Sequence, residues 1–148
     1  MSDSGNRAPV QKLRRSGWVF YIGDDSILDD SKTGKWMYFF SSLPFVREIC
    51  ERAVAEGVVE EAKHSDAPEG VACFYLNCDD MAAHRRTITF FLENDLIRRT
   101  KTGRLYDISF KLDSQTISGE YGAAFHSDIR LSAFLDLNTS EWINPQSE

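Results

Sequence analysis

Two amphipathic stretches divided by a pair of apolar runs constrain this chain more than any other feature. From Ser42 to Glu56 the residues Phe45, Val46, Ile49, Cys50, Ala53 and Val54 recur at helical spacing, with Ser42 placed to cap the start and Gly57 the end. A second stripe of Met81, His84, Ile88, Phe91 and Leu92 follows Asp79 and Asp80, either of which can cap it, and Asn94 suits a left-handed terminus. Between the stripes, residues 58–65 and 71–77 read as strands joined by a turn at 66–70, and so as a hairpin. Strands grouped around two separated helices predict an α+β domain: a curved antiparallel sheet with two to three helices packed on one face.

The flanking segments extend this pattern. Residues 18–22 and 35–40 are rich in aromatic and β-branched side chains and read as strands separated by an acidic loop. Beyond a basic turn holding Arg98, Arg99, Lys101 and Arg104, residues 105–112 alternate, with Tyr106, Ile108, Phe110 and Leu112 on one face. Residues 118–125 and 129–137 give less regular strand patterns, and Trp142 with Ile143 is expected to pack the C-terminal end onto the body. Residues 1–16 are polar and carry Arg7, Lys12, Arg14 and Arg15, so they are expected to form a flexible arm before a single domain at 17–148.

Composition narrows the class. With 148 residues, 42% of them hydrophobic and 27% charged, the chain suits one packed core and neither a disordered nor a fibrous protein. No run approaches the roughly 20 apolar residues of a membrane span. The 17 Lys and Arg against 23 Asp and Glu leave a charge of -6, which disfavours non-specific binding to nucleic acid or anionic membranes. The first ten residues contain Asp3 and no apolar run, and Cys50, Cys73 and Cys78 lack CxxC spacing, so reduced thiols and a cytoplasmic setting are expected.

No motif fixes a reaction. His64, His84 and His126 lack metal-ligand spacing, there is no serine elbow or local Cys-His signature, and Thr33-Gly34-Lys35 lacks the upstream glycine of a phosphate loop. Neither a catalytic residue, a metal nor a cofactor is assigned. The notable cluster is the polar face through Lys111, Asp113, Gln115, Thr116 and Tyr121, joined by Lys63, His64 and Ser65 on another strand. Lysines with hydroxyl and amide donors can bind a phosphate or carboxylate, Arg104 can steer an anion, and Trp36 could stack on a ring. The competing reading is a solvated sheet face with its tryptophans in the core.

Gly34-Lys35-Trp36, a helix ending in Ala53 to Gly57, Ala62-Lys63-His64-Ser65, the strand Val71 to Tyr75 and the acidic helix start Asp79-Asp80 together resemble the Bles family. The later Lys111, Asp113, Thr116, Gly119 and Tyr121 fit the same order, so the resemblance runs from Gly34 to Tyr121. It implies a fold similar to the cap-binding translation initiation factor 4E, with helices on the convex side of the sheet and a ligand groove on the other. This chain departs from that pattern in lacking an alignable pair of groove tryptophans and in placing His64 at a position that is usually aliphatic, so cap binding is not carried over. The expected function is a non-enzymatic binding domain recognising a nucleotide-like or other anionic small molecule on the concave face. Two alternatives stand beside it. One is a small acidic inhibitor, immunity or anti-defence protein that binds a basic protein partner. The other is a lyase or phosphoester-cleaving enzyme using Lys63, His64 and Lys111.

Overall fold

A two-residue turn sets the first edge of the sheet. Ser16 and Gly17 both take positive φ (54° and 85°), the conformation whose twist suits a tight hairpin, and Arg15 lies opposite Trp18. The computed structural model describes residues 10–24, 26–113 and 129–143. Within them Val10–Arg15 is β1 and Trp18–Gly23 is β2, so the arm expected over 1–16 is, from Val10 onward, a strand. The backbone pairing offered by β2 outweighs the polar composition of β1.

Strands β3 (Thr33–Phe40), β4 (Glu61–Ser65), β5 (Gly70–Asn77) and β6 (Lys111–Leu112) complete a six-stranded sheet in the order β1-β2-β4-β5-β3-β6. Every pair in it is antiparallel. Helix α1 (Leu43–Ala55) starts where Ser42 Oγ accepts from Phe45 N–H, and α2 (Met81–Glu93) where Asp80 accepts from Ala83 N–H. Both helices lie on one face of the sheet: Phe45 of α1 meets Tyr38, and Phe91 of α2 meets Phe74 at 5.2 Å between ring centroids. Val19, Tyr21, Ala62, Ala72, Phe74, Leu76, Trp36 and Phe40 point into this layer and form the core with the helices. The architecture is α+β, with two helices and an antiparallel sheet.

Several local expectations change. Strand β4 begins at Glu61 rather than Val58, because the amides of Val58 and Val59 donate to Ala53 and close α1. Met81 is 43% exposed and leaves the apolar stripe of α2, while the left-handed residue is Asp95 (φ 59°), not Asn94. Residues 105–112 do not run as one strand. Asp107 accepts from Ser132 N–H and Oγ–H, both at 2.9 Å, and this segment pairs only through isolated bridges before Lys111. Leu105 is buried and Tyr106 exposed, against the expected alternation. Residues 131–133 form a 3-10 turn where a strand pattern was read, and residues 118–125 lie outside the described residues. Trp142 bridges to Leu135 but stays exposed, so the C-terminal pairing exists without the expected burial.

The loop from β2 to β3 passes the ends of β4 and β5, and Asn77 fastens it. Its side-chain carbonyl accepts from Asp29 N–H (2.8 Å) and its amide donates to the carbonyl of Ile27 (3.0 Å). No helix of the described residues is long and apolar enough to cross a membrane.

Candidate functional site

Strand alternation sorts every residue of the sheet onto one of two faces. Directly opposed residues share a face, so the register defines rows across the side away from the helices. One row runs Leu13, Phe20, Lys63, Cys73, Met37, and the next runs Gln11, Ile22, Glu61, Tyr75, Lys35, Lys111. Trp18 lies on the same face, opposite Ser65. This second face, on which Cys73 is buried and Trp18, Phe20, Lys63, Tyr75 and Lys35 are half-buried, gathers three aromatic residues from β2 and β5 with three lysines from β4, β3 and β6.

Lys63 is at its centre. Its Nζ stands 4.0 Å from the Trp18 ring centroid, 5.6 Å from that of Phe20 and 5.9 Å from that of Tyr75. A cation held over an indole face gains about 0.5–2 kcal/mol. It keeps its hydrogens available because a ring face takes no directed hydrogen bond of the strength a carboxylate would. No carboxylate of the described residues pairs with Lys63. One row away, Lys35 Nζ donates to Asp113 Oδ1 at 2.7 Å, with the lysine side chain 12% and the aspartate 33% exposed. Burial pushes the Tyr75 hydroxyl far above its ordinary range, so at neutral pH it stays a neutral donor. Burial also raises Glu61, opposed by a hydrogen bond from Ser26.

Of the expected site residues, Lys63, Lys111 and Asp113 come together on this face. Ser65 is there too, but its hydroxyl is engaged with the backbone of Val71, accepting from its N–H at 3.0 Å. Arg104 belongs to the exposed turn beside β3, outside the rows. Gln115, Thr116, Tyr121 and His126 lie outside the described residues.

Two expectations are corrected. Trp36 is fully buried under the helices, where its Nε1–H donates to His84 Nδ1 at 3.1 Å, so it offers no face to a ligand. His64, adjacent to Lys63 in a strand, must point the opposite way, and it is fully buried. A carbonyl can only accept, so the 2.9 Å contact to the Ser65 carbonyl places the His64 proton on Nδ1, and Nε2 accepts from Tyr21 Oη–H at 3.0 Å. Both ring nitrogens are occupied, and Lys63, His64 and Lys111 do not share a face. Trp18, Phe20, Tyr75 and Lys35 went unassigned. The signal was the alternation Trp18, Phe20, Ile22 against Val19, Tyr21, which divides a run that looks uniformly apolar.

His84 mirrors His64. Its Nε2 donates to the Cys78 carbonyl at 2.9 Å, leaving Nδ1 as acceptor for Trp36. Protonation would set an N–H against the indole N–H, which has no acceptor to offer. Desolvation first holds both imidazoles below their ordinary 6.5. The unfolded chain then binds more protons than the folded one below about pH 6.5. Stability should therefore be full above that pH and fall as pH drops toward the folded-state values, by about 1.4 kcal/mol per pH unit for each proton. Urea midpoints at pH 7.5 and 5.5 check this, and equal midpoints would contradict the neutral assignment.

Among the described residues no cluster of histidine, cysteine and carboxylate side chains is arranged to hold a metal ion. No protein-family model matches the chain and no curated protein matches its sequence.

Proposed function

We propose that this protein is a binding domain whose open sheet face takes an anionic ligand carrying a flat ring, nucleotide-like in chemistry. We further propose that the face is the ligand groove of a curved sheet of the initiation-factor-4E kind, as the Bles resemblance implies. The observation that carries the reading is the Lys63 ammonium resting 4.0 Å over Trp18 with no carboxylate of the described residues to neutralise it. A phosphate or carboxylate that draws Lys63 away uncovers the indole, and a ligand ring can then take the place of the ammonium. Lys111, exposed on the same face, adds charge, while Asp113 fixes Lys35 beside it.

Calorimetric titration with ATP, GTP and inorganic tripolyphosphate tests this. Nucleotides should bind more tightly than tripolyphosphate, and Trp18→Ala should remove roughly tenfold of that difference. The pair Lys63→Glu with Lys111→Glu should weaken nucleotide binding by about a hundredfold while leaving the fold intact, since Lys111 is exposed and Lys63 only half-buried. Unchanged affinity in the double variant would sink the proposal, as would failure of every probe to bind the unaltered protein.

A further inference from the structure

The second feature lies at the outer edge of β3, beyond the end of the Lys63 row at Met37. Strand β6 pairs with β3 only at Gly34 and Lys35, and no strand of the described residues pairs with this edge from Met37 to Phe40. Phe39 is 57% exposed and Tyr106, nearby, is 47% exposed. At the opposite edge β1 carries Lys12, Arg14 and Arg15, the charges that ordinarily keep an edge strand from pairing. Beyond Lys35, β3 carries no such charges.

A cleft of about 240 Å³ opens beside this edge, lined by Met37, Tyr38, Phe39, Leu96, Tyr106 and Ile108, with Arg98 among them. Pockets for whole small molecules run from about 300 Å³ upward, so this one suits a side chain or two. Arg98 begins the turn that also holds Arg99, Lys101 and Arg104, four cations with no acid between Leu96 and Tyr106 in a chain of charge -6. No carboxylate of the described residues forms an ion pair with any of the four. The turn is ordered: Arg99 Nη1 donates to the Gly103 carbonyl at 2.8 Å and Tyr106 N–H to the Arg98 carbonyl at 2.9 Å. Among the described residues an apolar edge without a strand partner, a cleft of side-chain size and fixed cations without a carboxylate partner occur together here.

We infer that the outer edge of β3 docks an extended acidic peptide segment of a protein partner, seating one apolar side chain in the cleft and a carboxylate against Arg98. Backbone pairing to an edge strand supplies affinity in such docking, and the pocket and charges supply selectivity. A nucleic acid would fit the cations but not the apolar lining of the cleft.

Random dodecapeptides displayed on phage, selected on the full chain, provide the probe. Enriched peptides should place Asp or Glu within two residues of an apolar side chain. One of them, synthesised, should shift the backbone NMR signals of Met37 to Phe40 and Arg98. It should also bind Arg98→Glu with Tyr106→Asp roughly tenfold more weakly. Phe39→Ser, at an exposed position, provides a second variant should that pair fail to fold. Absence of enrichment, enriched peptides without acids, or equal affinity for the folded variants would overturn the inference. A single-stranded oligonucleotide that shifts the same signals, or a dimer of this chain abolished by Arg98→Glu, would also overturn it.

Discussion

Truncating Trp36 to alanine is expected to destabilise the protein by about 3–5 kcal/mol, the range for a buried aromatic. The side chain is fully buried on β3 and its ring meets three others, with centroids 5.9 Å from His84, 5.7 Å from Phe110 and 6.4 Å from Phe134. It thereby joins the sheet, α2, the segment before β6 and the 3-10 turn at Leu131–Ala133. A cavity at this junction cannot collapse from one side alone. Alanine also leaves His84 Nδ1 without its donor, and an unsatisfied buried acceptor costs about 1–3 kcal/mol. Trp36→Phe separates the effects, because it keeps most of the volume and loses the N–H. Urea unfolding followed by circular dichroism measures both, and a loss below about 1 kcal/mol for alanine would mean that this junction does not carry the fold.

The second large effect is expected at Gly34. Here φ is ordinary and the requirement for glycine comes from crowding: a Cβ would stand 2.5 Å from Phe110 Cε2 and 2.6 Å from the Lys111 carbonyl oxygen. One obstacle is a fully buried ring and the other is backbone, so neither yields at low cost. Gly34→Ala should destabilise by about 1–3 kcal/mol, and Gly34→Val by more, because its branches add to the overlap. Parting β3 from β6 also withdraws Lys111 and Asp113 from the Lys63 face. Gly34→Val should accordingly lose the nucleotide binding proposed above along with stability, and a protein of native stability carrying valine there would refute the close approach.

Local signals were legible and register was not. Ser42 and Asp80 cap their helices as the sequence implies, since a cap and an apolar period are decided within one turn. The β4–β5 hairpin is equally local. Whether a strand aromatic faces helices or solvent depends on which residue lies opposite, and Trp18 and Trp36, alike in their apolar surroundings, separate only once β2 meets β4 and β3 meets β5. Adjacent Lys63 and His64 were a different case: alternation alone forbids both from lining one face. The Lys35–Asp113 pair joins residues 78 positions apart, a distance no periodicity reports. Ser16-Gly17 was a hairpin signal hidden by the charge around it.

The strand order has a consequence for how the chain must assemble. β2 and β3 follow one another in sequence, yet β4 and β5 lie between them, so the hairpin synthesised later enters the middle of the sheet. During synthesis β2 has only β1 beside it, and a lone two-stranded hairpin is marginally stable in water. β3 gains its neighbour β5 only when the ribosome has passed Asn77. Until then the nascent chain displays Trp18, Phe20, Trp36 and Phe40 beside unpaired backbone, a state prone to aggregation and to chaperone capture. Closure then depends on pairings far apart in sequence, which fold slowly. A fragment ending before Glu61 has two open edges where the finished molecule has its centre.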